Sequence, residues 1–352
     1  DEAAHNFIRE QQVEFFTLFR DLRCSKISCK AAVYPGVTAY GDSFQFSQDA
    51  TFIKLNRFVQ DDGYGDFMKD MVFKQVNDST YSKELSRRGQ IFNDLTFAAS
   101  GNPRFLLNNI RTLAKFGTNE VNQCIKVFYR DIVLRDHTML SAKYPRLKEL
   151  IDWGRTFIED TLLPDLQKRN QEALKEEKAT TAFFWIHKDA PEPVKRAISL
   201  LEYSGIVIEL NKGHKGTGRE IGTRYMVNLG CLFAVEANPL SVSHQIIDGL
   251  SVRKFIEYGV NSPIYNGIKD NLAAIQDNDM EESMATKLAQ DINVLDLSPN
   301  MREKLHNISL NTIKDVLEAP EDKLKEAHYV GDIRARRMKR IALNSVYEYL
   351  IG

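Results

Sequence analysis

At 352 residues the chain is long enough for two or three domains. Its hydrophobic fraction of 43% and net charge of −1 are those of an ordinary globular protein, so a nucleic-acid or membrane surface can come only from local clustering. No apolar run approaches the roughly 18 residues of a membrane span. The four cysteines (Cys24, Cys29, Cys124, Cys231) form no C-x-x-C pair, and read as reduced thiols of a cytoplasmic protein.

The first residues, Asp1 and Glu2, are adjacent carboxylates ahead of a helical period over 8–19, with apolar residues at Ile8, Val13, Phe16 and Phe19. The short β-branched run 26–37, closed by Pro35-Gly36, predicts a buried strand, and 50–58 predicts a second. From 66 to 171 the pattern is helical, broken by Gly101-Asn102-Pro103, with Pro103 placed to open the next helix. The charged stretch 163–180 predicts an exposed helix running into a linker and a domain boundary. A helix at 191–205, ended by Gly205, is followed by strands at 206–210 and 223–234 around the glycine-rich tip NKGHKGTGREIG. That order is the ending of a winged-helix unit. The stretch 236–290 matches no pattern, and 292–350 is a chain of short helices begun at Ser298-Pro299, Ser309 and Pro320, with a tight turn at Gly331.

An Asp-Glu pair suits ATP hydrolysis, because one carboxylate can hold magnesium while the other orients the attacking water. The order of acidic pair, helix, strand, strand, helices and then SGNPRFLL (100–107) resembles the second half of an AAA+ ATPase, read from its Walker B acids onward. The Gly-Asn-Pro-Arg run resembles the sensor 2 motif of the origin-recognition type initiators and of STAND signalling ATPases. The resemblance implies that Asp1 holds Mg²⁺, Glu2 positions water, and Arg104, with Asn102 and Thr38 near it, faces ATP. It also implies a phosphate-binding half upstream of Asp1, so that this polypeptide alone is inactive in hydrolysis. Three departures accompany it: no G-x-x-x-x-G-K-[ST] loop occurs, Tyr34-Pro35 stands near the sensor 1 position, with Thr38 its substitute, and no Arg lies between Lys30 and Phe52. A DEAH-box reading of DEAAH is broken by the extra alanine.

For nucleic acid, Lys212, Lys215 and Arg219 sit on the glycine-rich tip, where cations suit a DNA backbone. The run 328–340 resembles the second hairpin of a helix-hairpin-helix module, with Gly331 and Ala335 matching and Tyr329 where the first glycine of that motif is expected. Arg334, Arg336, Arg337, Lys339 and Arg340 put five cations within seven positions. The segment ahead of it is similar to the tandem arrangement found at the C-terminal end of the RNA polymerase alpha chain.

The expected fold is mainly α with a partial α/β P-loop ATPase core over 1–60, a helical lid over 61–175, a winged helix with its extension over 180–290, and a helix-hairpin-helix domain over 291–352. The expected function is that of the C-terminal portion of a bacterial or archaeal ATP-dependent DNA-binding ATPase, a nucleotide-driven switch on double-stranded DNA. The alternative is a non-catalytic DNA- or protein-binding adaptor, for example a phage-defence sensor, that uses the fold as scaffold. A protein partner at the winged helix and an oligomer fit either reading; a membrane fits neither.

Overall fold

Apolar residues three and four apart turn most of the chain into helix, and one small sheet is set among the helices. The computed structural model describes residues 9–34, 37–38, 40–41, 44–53, 55, 57–75, 79–216, 218, 220–269, 285 and 287–351. Helix α1 (Arg9–Asp21) holds Phe16 inward, where its ring meets Tyr40 at 4.6 Å and Phe44 at 5.6 Å. This aromatic cluster holds Tyr40 and Phe44 on α1, with the single-turn helix α2 (Phe46–Asp49) after them.

The two strands expected at 26–37 and 50–58 do not form among the described residues. A strand exists only against a partner ladder, and among the described residues no other strand pairs with these segments. No described residue of 26–37 is buried, and Phe52, Ile53 and Leu55 are 52%, 74% and 85% exposed.

The helical body follows the expected pattern: α3 (Tyr64–Gln75), α4 (Ser79–Arg87), α5 (Gly89–Ala98) and α6 (Pro103–Thr112). Helix α7 (Thr118–Lys126) runs through a π-helical segment, Val127–Val133, into α8 (Leu134–Lys143). Helix α9 (Lys148–Thr156) passes through a second, Phe157–Leu162, into α10 (Leu163–Lys175). The wider turn at 127–133 carries Tyr129, which is fully buried and packs against Gly230; a Cβ there would lie 2.3 Å from its ring.

After α10 come β1 (Phe183–His187), α11 (Glu192–Tyr203), β2 (Val207–Lys215) and β3 (Ile221–Val227). Next are α12 (Leu229–Ala234), α13 (Pro239–Gly249), β4 (Ile256–Tyr258) and the short α14 (Asn266–Lys269). The sheet order is β2-β3-β1-β4, with β1 antiparallel to β3 and parallel to β4. Strand β1 is buried along its whole length, so it carries no polar alternation to mark it in the sequence. The expected strand 223–234 is corrected at its second half: Asn228 accepts from the Gly230 amide and caps α12.

The expected boundary near 175 does not part the core either. One hydrophobic cluster runs from Val59 to Ile268, through the helices before Lys175 and the strands and helices after it alike. Asn170 closes the junction from both sides, its Nδ2 donating to the Thr181 carbonyl at 2.8 Å and its Oδ1 accepting from the Thr181 amide at 2.8 Å. Further along, the Leu229 amide donates to Ser100 Oγ at 2.7 Å, and Ser243 Oγ donates to buried Asp94 at 3.0 Å.

A second, separate cluster lies in 288–346. Its helices are α15 (Pro299–Asn307), α16 (Ile313–Glu318), α17 (Glu321–Lys325) and α18 (Asp332–Ile351). Ser298 and Pro320 begin α15 and α17 as expected, but α16 begins at Thr312 rather than Ser309. Thr312 and Asp315 form a capping box, and Ser309 instead sits in the preceding turn at φ 62°.

Candidate functional site

The Gly-Asn-Pro-Arg turn is built by backbone sterics. Gly101 has φ +82°, and a Cβ there would stand 2.1 Å from the Arg57 carbonyl oxygen, so only glycine fits. The Gly101 amide donates to Tyr64 Oη at 2.8 Å, and that hydroxyl donates to the Thr96 carbonyl at 2.8 Å. Burial, the larger influence, drives the Tyr64 hydroxyl well above its ordinary pKa, so it stays a neutral donor. Asn102 is the cap of α6: its Oδ1 accepts from the Arg104 and Phe105 amides at 3.0 and 3.3 Å. Those amides are therefore spent inside the turn. Arg104 is left exposed at the helix start. Thr38 donates to the Tyr34 carbonyl at 2.8 Å, and the Tyr34 ring meets Tyr203 at 5.6 Å at the end of α11. Asp1 and Glu2, the expected magnesium and water residues, lie outside the described residues, among which no His, Cys, Asp and Glu cluster is arranged to hold a metal.

The β2–β3 hairpin is more tethered than its glycines suggest. Trp185 lies under it: its Nε1 donates to the His214 carbonyl at 3.1 Å, and a Cβ on Gly222 would approach the indole to 2.4 Å. Arg224 is buried beneath the ribbon, 4.5 Å from the Phe255 ring centre and hydrogen-bonded to His214 Nε2. Burial first, and the Arg224 charge second, push the His214 pKa down, which keeps its ring nitrogen an acceptor for the guanidinium. Of the expected DNA contacts, Lys212 pairs with Glu209 at 3.5 Å, Lys215 is exposed, and Arg219 lies outside the described residues. Sequence reading missed Trp185, Arg224 and Phe255, which lie tens of residues apart: strand register sets Trp185 opposite Arg224, and the Arg224 guanidinium lies over the Phe255 ring.

The C-terminal hairpins are two copies of one turn. Ser309 at φ 62° is followed by buried Leu310 and then α16, and Tyr329 at φ 60° is followed by buried Val330 and then α18. The left-handed residue of the second turn is thus Tyr329, while Gly331 is not in that conformation and a Cβ on it would meet nothing within 4 Å. Helix α18 buries Ala335, Met338 and Ala342 and turns Arg337 and Arg340 to the opposite, exposed side. Arg334 donates to the Tyr329 carbonyl at 2.6 Å, and Arg336 faces Glu321 at 3.5 Å. Lys325 bridges Asp322 at 3.0 Å and Asp332 at 2.7 Å, which neutralises the acids nearest the hairpin. Arg337, Lys339 and Arg340 enter no ion pair among the described residues. The structure therefore brings the five expected cations onto one helix, and separates them in sequence and in core from the Arg104 turn.

No helix of the described residues is long and apolar enough to cross a membrane. No protein-family model, curated protein or solved structure matches the chain.

Proposed function

We propose that the chain binds double-stranded DNA through the exposed basic side of α18, as the C-terminal portion of an AAA+/STAND-type ATPase resembling the origin-recognition initiators. The observation that carries the reading is the row Arg334, Arg337 and Arg340, exposed on a helix whose other side is anchored in its own core. Cations held on a rigid helix meet phosphates without ordering a flexible segment first. Among the described residues the wing contributes less, since Lys212 is paired and Arg224 is buried, leaving Lys215.

ATP with Mg²⁺ enters this reading through the family resemblance. Of the described residues Arg104 suits a terminal phosphate, because it is exposed beside a capped helix start; Asn102 and Thr38 already hold their own backbone. The described residues form no phosphate cradle, and hydrolysis is assigned to none of them. Support for a switch comes from the shared core: Ser100, two residues before Asn102, bonds the start of α12, and Gly205 at the end of α11 faces Asn102 and Phe105. A displacement of Arg104 would be carried to the winged-helix elements without an intervening joint.

The test is fluorescence anisotropy on a labelled duplex of arbitrary sequence. The double variant Arg337→Glu/Arg340→Glu is expected to bind roughly tenfold or more weakly than the wild type, with an unchanged melting profile. Equal binding by the two proteins would remove α18 as the interface.

A further inference from the structure

We propose that Tyr329 and Ile333 form an apolar wedge that enters a groove of the duplex between the phosphate rows held by the α18 arginines. The proposal rests on the duplex-binding reading and names the part of the DNA that the hairpin tip touches.

Tyr329 adopts φ 60°, a left-handed conformation that glycine takes freely and that an aromatic side chain takes only at a cost in free energy. Its side chain is 77% exposed. Strain retained at a solvent-facing aromatic marks a side chain kept for what it contacts. Ile333, just inside α18, is 86% exposed, although its counterpart in the first hairpin, Ile313, is fully buried. The counterpart of Tyr329 is Ser309, with the same backbone conformation and almost no side chain. The two copies share a turn and differ in that one carries an outward apolar pair. Tyr329 is held in place: the His328 ring lies 4.2 Å from the Tyr329 ring, edge to face, and Arg334 donates to the Tyr329 carbonyl at 2.6 Å. On α18 Arg334, Arg337 and Arg340 follow Ile333, all exposed. An apolar tip beside a row of arginines complements a polyanion with stacked bases beside its phosphates.

The experiment compares wild type, Tyr329→Gly, Tyr329→Phe and Ile333→Ser for duplex binding over a salt series, with melting followed by circular dichroism. Glycine relieves the left-handed residue, so Tyr329→Gly should melt no lower than wild type. Its affinity should nevertheless fall about tenfold with an unchanged salt slope, because a stacking contact is lost and no phosphate contact is. Tyr329→Phe should bind as wild type, and Ile333→Ser roughly threefold more weakly. Wild-type affinity in Tyr329→Gly, or tighter binding, would overturn the wedge and leave the duplex reading standing. Absence of duplex binding by the wild type itself would remove both.

Discussion

Replacing Gly101 by alanine tests whether the turn before Arg104 is set by backbone sterics. The alanine must hold φ +82°, which costs an L-residue roughly 1–2 kcal/mol. Its Cβ would also lie 2.1 Å from the Arg57 carbonyl oxygen, a backbone atom that cannot rotate away. Forced displacement of packed structure adds about 1–3 kcal/mol, so the expected loss is about 3 kcal/mol. The matched control is Gly331→Ala, where no left-handed φ is needed and nothing stands within 4 Å; it should change stability by less than about 0.5 kcal/mol. Urea unfolding read by tryptophan fluorescence isolates the first change, because Trp153 in α9 and Trp185 in β1 both belong to the larger body. The control, in the smaller body, is read by the circular-dichroism melt. A Gly101→Ala midpoint indistinguishable from wild type would refute the steric account of the turn.

His137 is fully buried, with Nδ1 2.8 Å from Ser204 Oγ, and burial, the largest influence, lowers its pKa to about 4. The folded state refuses a proton that the unfolded chain accepts at about 6.5, so this stability is present above that pH and is lost as the pH falls toward 4. The slope is about 1.4 kcal/mol per pH unit; a His137→Leu variant should lack it in urea titrations at pH 7, 6 and 5, and an unchanged slope would refute the assignment. Asn170→Ala leaves the Thr181 amide and carbonyl without their partner inside the protein, and should cost about 2–4 kcal/mol in the same assay. A loss below about 0.5 kcal/mol would mean that the junction of α10 and β1 opens to water.

The helices were legible because their caps and periods are local: Asn102-Pro103, Ser298-Pro299 and Pro320 each open one. The existence of a hairpin at NKGHKGTGREIG was legible from its glycines and the apolar strands beside it, but its strands run on to Lys215 and start at Ile221, inside the stretch read as loop. What failed depends on distant partners. The runs 26–37 and 50–58 have strand composition, yet strand is a property of a pair, and the described residues supply no neighbour. Strand β1 escaped notice because burial on both faces removes its alternation, and the continuous lid–wing core because Asn170 sits within a charged stretch that reads as solvated. At the C-terminal hairpin the motif pointed to Gly331, whereas the backbone places the special conformation at Tyr329, and only coordinates separate the two.

The most direct measurement of the central claim is the affinity of the intact chain for a duplex of arbitrary sequence as salt is raised. Arg334, Arg337, Lys339 and Arg340 stand without a carboxylate partner among the described residues, while Arg336 is shared with Glu321. Neutralising about four phosphates gives log K falling against log[salt] with a slope of about −3.6. The account predicts that slope for the wild type, reduced by about 2 units in Arg337→Glu/Arg340→Glu. Affinity that is flat with salt, or no affinity at all, would contradict it.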